Sequence, residues 1–215
     1  MSKHDDIMNG LGLHGRAVVA TLELIADRDR TAPCLDDVSN RIGVDETALR
    51  KIFPDDESLL FAVAEQALMR LMDVSTRAVV KIDPDDAVGQ FVALGRAYVH
   101  WAADHRMQFR LIFGDPKLNA GNVPGLRRYL DSMIDLMTRM LERARDSGSL
   151  REGEDIPMLV LSSRIFAQGL AQMVVDGRTD TWFPGLTPQE SAEQVVEDFV
   201  RRIARGSTRR PRSRH

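Results

Sequence analysis

Apolar residues recur every third or fourth position along almost the whole chain, and nowhere does strict alternation flanked by turn residues replace that rhythm. A chain so patterned has faces to bury only as helices, so the sequence predicts an all-α protein. Prolines, glycines and acidic caps punctuate the pattern into segments. A first helix is expected over Leu13–Arg28, with Val18, Val19, Leu22, Ile25 and Ala26 inward. Two short helices, "LDDVSNRI" and "ETALRKIF", follow. Gly43 closes the first, Asp45 caps the second and Pro54 ends it. A long helix is expected over Asp56–Val80, its start favoured by acids at the positive end of the helix dipole. Then come Pro84–Asp104 capped by Asp83, the short "HRMQFRLIFG", the loop "DPKLNAGNVPG", and helices over Leu126–Ser147, Asp155–Asp176 and Pro188–Arg205. "RGSTRRPRSRH" has no apolar residue to bury, which predicts a disordered tail.

Two short helices joined by "GV" and followed by a long one have the outline of a helix-turn-helix, which sets its second helix into the DNA major groove. Val44 and Leu49 would seal the pair, with Phe53 and Leu59 packing it onto the first helix. Thr47, Arg50 and Lys51 would face the duplex, where an arginine can bind guanine through two hydrogen bonds.

The segment "LELIADRDRTAPCLDDVSNRIGVDETALRKIFPDDESLLFAVAEQ" resembles the TetR-type (tetracycline-repressor) family of one-component bacterial regulators. Leu22, Leu24, Ile25, Val38, Ile42, Gly43, Val44, Leu49, Phe53, Pro54, Glu57, Leu59 and Leu60 fall at the family spacing. "WAADHRMQFRLIFGDP" and "IFAQGLAQMVVDGR" resemble ligand-domain segments of one branch, which often has His-Gly where this chain has Gln168-Gly169. The resemblance implies an N-terminal DNA-binding domain (1–58), a C-terminal helical ligand-binding and dimerisation domain (59–205) and a basic tail (206–215). It also implies a homodimer built from the last two long helices. Four positions depart from the family habit. Asp56 stands where a phosphate-approaching lysine is usual, Arg50 where an aromatic follows the leucine, Ile52 in place of His or Tyr, and Pro33 in place of a capping threonine.

Charge pulls against shape. The net charge is −3, but seven of the 29 basic residues follow Asp198 with no acid among them, so the rest carries 22 bases against all 32 acids. From Met1 to Leu60 seven bases face twelve acids, a head of −5. Because DNA affinity derives largely from neutralised phosphates, such a head predicts weak non-specific binding, with a few placed cations left to read bases. The arginines of the tail are expected to be solvated, and Arg201, Arg202 and Arg205 to complement the last helix's negative end.

The second half holds the apolar and aromatic material for a pocket. Trp101, Phe109, Met133, Met137, Phe166 and Met173 are the expected lining, with Gln168 a polar contact orienting a mostly apolar small molecule. For homodimerisation, Leu161, Ile165, Val195 and Phe199 supply stripes for an interhelical four-helix interface.

No catalytic constellation is evident: the sequence has no GxGxxG, Walker-type loop, GxSxG or CxxC, and His100 and His105 lie on different helical faces. No cofactor, metal or enzymatic role is expected. Cys34 reads as a small buried residue of a reducing compartment. The acidic start "MSKHDD" lacks a signal peptide's basic flank and no unbroken apolar run reaches bilayer length, so a cytoplasmic protein off the membrane is expected. The leading reading is a ligand-responsive transcriptional repressor that binds a double-stranded DNA operator. The alternative is a helix-turn-helix-like dimer that binds a small molecule or protein partner without specific DNA binding.

Overall fold

The computed structural model describes residues 11–27, 33–114, 118, 120–182 and 184–207. These form an all-α fold of nine helices: α1 Leu13–Asp27, α2 Leu35–Ile42, α3 Glu46–Arg50, α4 Asp56–Val79, α5 Ala87–Asp104, α6 Arg106–Gly114, α7 Pro124–Asp146, α8 Ile156–Val175 and α9 Pro188–Ser207. The chain divides into two compact units, Met1–Leu68 with Met107–Arg127, and Met69–Arg106 with Arg128–His215. The first unit therefore takes in α6 together with the N-terminal helices.

In the first unit α1, α2 and α3 pack against one another. Leu35, Val38, Leu49, Phe53 and Leu59 are buried, and the Phe53 ring lies 5.0 Å from that of His14 on α1. The inward face of α1 is Ala17, Val18, Thr21, Leu24 and Ile25. That face is rotated from the expected one: Ala26 is exposed, and Val19 and Leu22 are half-buried. Gly43 adopts φ +67° and closes α2 with a left-handed residue, and its neighbour Val44 donates to Ser39 O. Arg16 Nη2 on α1 donates to Ile42 O at 2.8 Å, satisfying a carbonyl at the same end.

Cys34, rather than Pro33, occupies the N-cap of α2. Its backbone N–H and its Sγ each donate to Asp37 Oδ2 at 3.1 Å. Asp56, the residue in the usual lysine position, accepts the Leu35 N–H at 2.8 Å and so ties the start of α4 to that of α2. Asp55 caps α4 by accepting from Ser58 N at 2.8 Å.

In the second unit α5, α8 and α9 form the packed centre. α5 begins at Ala87, not Pro84. Asp83 is used in a preceding turn, accepting Asp85 N at 2.9 Å, and Asp86 caps the helix by accepting Gly89 N at 2.8 Å. Gly95 is needed where α5 meets α9, since a Cβ there would stand 2.8 Å from Val196 Cγ1. The same seam carries an Arg96–Glu197 ion pair. Asp155 caps α8, and Thr187 and Glu190 cap α9 reciprocally, which holds the Glu190 carboxyl below its ordinary range. α9 extends to Ser207, and the remainder of the expected tail, 208–215, lies outside the described residues, as do Arg28 and part of the loop after α6. α8 is, among the described residues, a helix long and apolar enough by length and composition to cross a membrane, with a mean hydropathy of 1.4. Ser162, Ser163, Arg164 and Gln168 interrupt it, which is why no unbroken apolar run shows in the sequence.

Candidate functional site

Two features stand out: the exposed side of the helix-turn-helix and a cavity inside the second unit. Asp45 sets up the first by capping α3, accepting Thr47 N at 2.7 Å and also the Thr47 hydroxyl. Those two bonds, with the nearby Lys51 charge, hold the Asp45 carboxyl below its ordinary range. α3 is a short helix. It ends at Arg50, three residues before the phenylalanine expected to finish it, because Ile52 N and Phe53 N both turn back to Leu49 O ahead of Pro54.

Thr47, Arg50 and Lys51 are all exposed here. Two of them are already engaged. Thr47 is bonded to Asp45, and Arg50 pairs with Glu46 one turn back, Nε to Oε1 at 2.8 Å and Nη2 to Oε1 at 2.5 Å. Arg50 Nη1 also donates to Pro54 O at 3.3 Å. Arg41 pairs with Glu23 at 3.2 Å, and Arg16 holds the end of α2. Among the described residues of the head, Lys51 is the basic side chain that makes neither a hydrogen bond nor an ion pair.

The cavity, about 50 Å³, is lined by four helices of the second unit. α5 gives Phe91, Leu94, Gly95 and Tyr98, an i, i+3, i+4, i+7 stripe, and α7 gives Met133 and Met137. α8 gives Ser163, Arg164, Phe166 and Ala167, and α9 gives Val196, Phe199 and Val200. Phe166 and Phe199 stack across α8 and α9 with ring centroids 3.8 Å apart and planes 8° from parallel. The Arg164 guanidinium stands over the Tyr98 ring, 5.5 Å from its centroid. Burial pushes the Tyr98 phenol up to about 12, with the Arg164 charge pulling the other way.

Of the expected lining, Met133, Met137 and Phe166 meet at this cavity. Trp101 is buried one turn beyond it on α5, its ring stacked on His105 at 5.8 Å. Phe109 is fully buried in the first unit, 5.3 Å from Phe113. Gln168 points off the lining stripe of α8. Met173 shares the stripe of Phe166 but sits seven residues, about 10 Å, further along. Phe199, expected at the subunit interface, faces the cavity instead, while Leu161, Ile165 and Val195 are exposed, with Met158 extending the same apolar side of α8. Ser163 and Arg164 are lining residues not expected from the sequence. A lone arginine within the apolar stretch of α8 was the available signal. Among the described residues no three His, Cys, Asp or Glu side chains come together as a metal-binding group.

A helix-turn-helix head and a second helical unit with an apolar cavity are the two parts of this fold. The profile of the family described as tetracyclin repressor-like, C-terminal domain, matches residues 91–199, just over half of the chain, and the protein belongs to that family. Its members are DNA-binding transcriptional regulators rather than enzymes. No curated protein sequence matches the chain. Solved structures share its fold. A protein of unknown function from Rhodococcus sp. RHA1 is 24% identical with a TM-score of 0.76, over 90% of this chain and 96% of the other. A fatty acid degradation regulator from Bacillus halodurans is 11% identical with a TM-score of 0.71, over 88% and 95%. A ketosteroid transcriptional regulator of Mycobacterium tuberculosis is 17% identical with a TM-score of 0.64, over 93% and 96%.

Proposed function

We propose that this protein is a homodimeric, ligand-responsive repressor of the cytoplasm, released from its operator by a mostly apolar small molecule. The observation that carries the reading is the apolar cavity lined by α5, α7, α8 and α9. Met133, Met137 and Phe166, with Phe91, Tyr98 and Phe199, receive the ligand's apolar body. Thr47, Arg50 and Lys51 read the operator, and Leu161, Ile165 and Val195 join the two protomers. α4 is one continuous helix from Asp56 to Val79. Ligand binding shifts it, changing the separation of the two reading helices and their match to half-sites in successive major grooves. Titrating an operator complex with apolar small molecules tests this. Tight binders should release the DNA, and equal operator affinity with and without every tight-binding compound would contradict the reading.

A second reading is favoured by one observation: Arg50 is already paired with Glu46 in a head of net −5. In that reading the dimer takes a small molecule or a protein partner without specific DNA binding. Failure of the folded dimer to prefer any DNA sequence in a genome-wide selection would support it.

A further inference from the structure

The helix on which α3 packs is tied at both ends to its neighbours. At the start of α2, Asp56 Oδ1 of α4 accepts the Leu35 N–H at 2.8 Å, and at its end Arg16 Nη2 of α1 donates to Ile42 O at 2.8 Å. The two bonds span 21 and 26 residues of sequence, so neither is a by-product of a local turn. Each also has the sign that the helix dipole favours, an anion at the amino end and a cation at the carboxyl end.

Both bonds serve groups that a helix leaves over, since its first amides and last carbonyls find no partner within it. Asp56 is itself exposed, but the amide it accepts belongs to the fully buried Leu35, and Ile42 is buried as well. Water is a poor substitute at either end. What α2 holds in place is α3, a helix of only five residues, Glu46–Arg50, whose buried residue is Leu49. So short a helix does not keep a direction of its own. Only Gly43, Val44 and Asp45 separate it from α2, so its direction is inherited from α2.

From this arrangement we infer that Asp56 and Arg16 are positioning residues of the DNA-reading surface. They fix α2 at its two ends and, through it, the direction in which α3 presents Thr47, Arg50 and Lys51. The inference rests on the operator-reading role proposed for those three side chains and deepens it. A count of charges makes Asp56 one more repulsion of phosphate and Arg16 one more attraction. The geometry gives the two the same role. Experiment separates these views, because selective affinity falls with the fraction of molecules whose reading helix is held in the competent direction, whereas non-specific attraction to phosphates follows charge.

The test is fluorescence anisotropy of the full-length protein on a duplex that it selects from genomic fragments and on a scrambled copy, for the unmodified chain, Asp56→Asn, Asp56→Ala, Asp56→Lys and Arg16→Met. Asp56→Asn keeps the acceptor and loses the charge. It should hold the ratio of selected to scrambled affinity within about twofold, while Asp56→Ala and Arg16→Met lower that ratio about fivefold or more. Asp56→Lys, which charge alone would favour, should bind the scrambled duplex about twofold or more tighter and still lose about fivefold in selectivity. Hydrogen exchange of the Leu35 amide reads the bond itself without DNA, and should run about tenfold faster in Asp56→Ala than in Asp56→Asn. An unchanged ratio in Asp56→Ala, a gain of selectivity in Asp56→Lys, or a loss in Asp56→Asn as large as in Asp56→Ala would overturn the inference while leaving the DNA-reading role. Where Asp56→Ala fails to fold, the opposite expectations for Asp56→Asn and Asp56→Lys still decide. If the unmodified protein selects no duplex, the DNA-reading role and this inference fall together.

Discussion

The reading head and the cavity treat their polar side chains in opposite ways. In the head, Thr47 is bonded to Asp45 and Arg50 to Glu46 and Pro54 O, so two of the three exposed candidate side chains already have partners. In the cavity, Ser163 is buried with its hydroxyl unbonded among the described residues. An exposed ion pair is worth little and exchanges readily for a better partner, whereas a buried unbonded hydroxyl is costly until something satisfies it. In the proposed function the head binds DNA selectively and lets go, and the cavity takes the ligand.

The comparison breaks most visibly if the head's cations are removed. Arg50→Ala with Lys51→Ala should lower operator affinity by about a hundredfold, from roughly 1–3 kcal/mol per base-reading contact, in an anisotropy titration. Unchanged affinity would transfer DNA reading elsewhere or abolish it as a function.

Gly95→Ala probes the cavity's wall. Its new Cβ would crowd Val196, costing about 1–3 kcal/mol in urea unfolding, with part of the loss recovered in the Gly95→Ala, Val196→Ala double variant.

A smaller effect is confined to alkaline solution. The Tyr98 phenol lies at about 12 in the folded chain against an ordinary 10.0, so the folded state keeps its proton longer than the unfolded one. Stability should therefore fall as pH rises from about 10 to 12, by at most about 3 kcal/mol. Tyr98→Phe should remove that slope, as denaturant midpoints of the two proteins across this range would show.

The smallest change expected is at Glu46. Glu46→Gln frees Arg50 from an exposed i, i+4 pair worth about 0.3–0.5 kcal/mol and removes one negative charge from the head. Operator affinity should rise about two- to threefold, and a fall would mean that Glu46 aims Arg50 rather than restraining it.

Much of this was legible in the residues. Gly43 and the Asp45 cap are local chemistry, so the turn and the start of α3 follow from sequence. The early end of α3 depends on two amides sharing Leu49 O, and the late start of α5 on which of two nearby aspartates finds a hydrogen-bond partner. Neither is decided by residue type. The cavity shows the same limit. Methionines and a phenylalanine at helical spacing mark Met133, Met137 and Phe166 as inward, but periodicity does not say which stripes face one another. Phe199 therefore looked equally suited to a subunit interface, and Trp101 and Phe109 to a pocket. Ser163 escaped notice because a serine in a helix is unremarkable until its usual carbonyl is seen to be unused.

In the proposed function a few placed cations let an acidic helix-turn-helix read DNA. Fluorescence anisotropy of the purified dimer against its own upstream DNA and a scrambled duplex, repeated across salt concentrations, tests it most directly. Selective binding with a shallow salt slope is expected, of magnitude about 4 or less, since two cations per protomer neutralise few phosphates at about 0.9 each. Equal binding to both duplexes with a steep slope, or binding to neither by a folded dimer in this test and in a genome-wide selection, would contradict it.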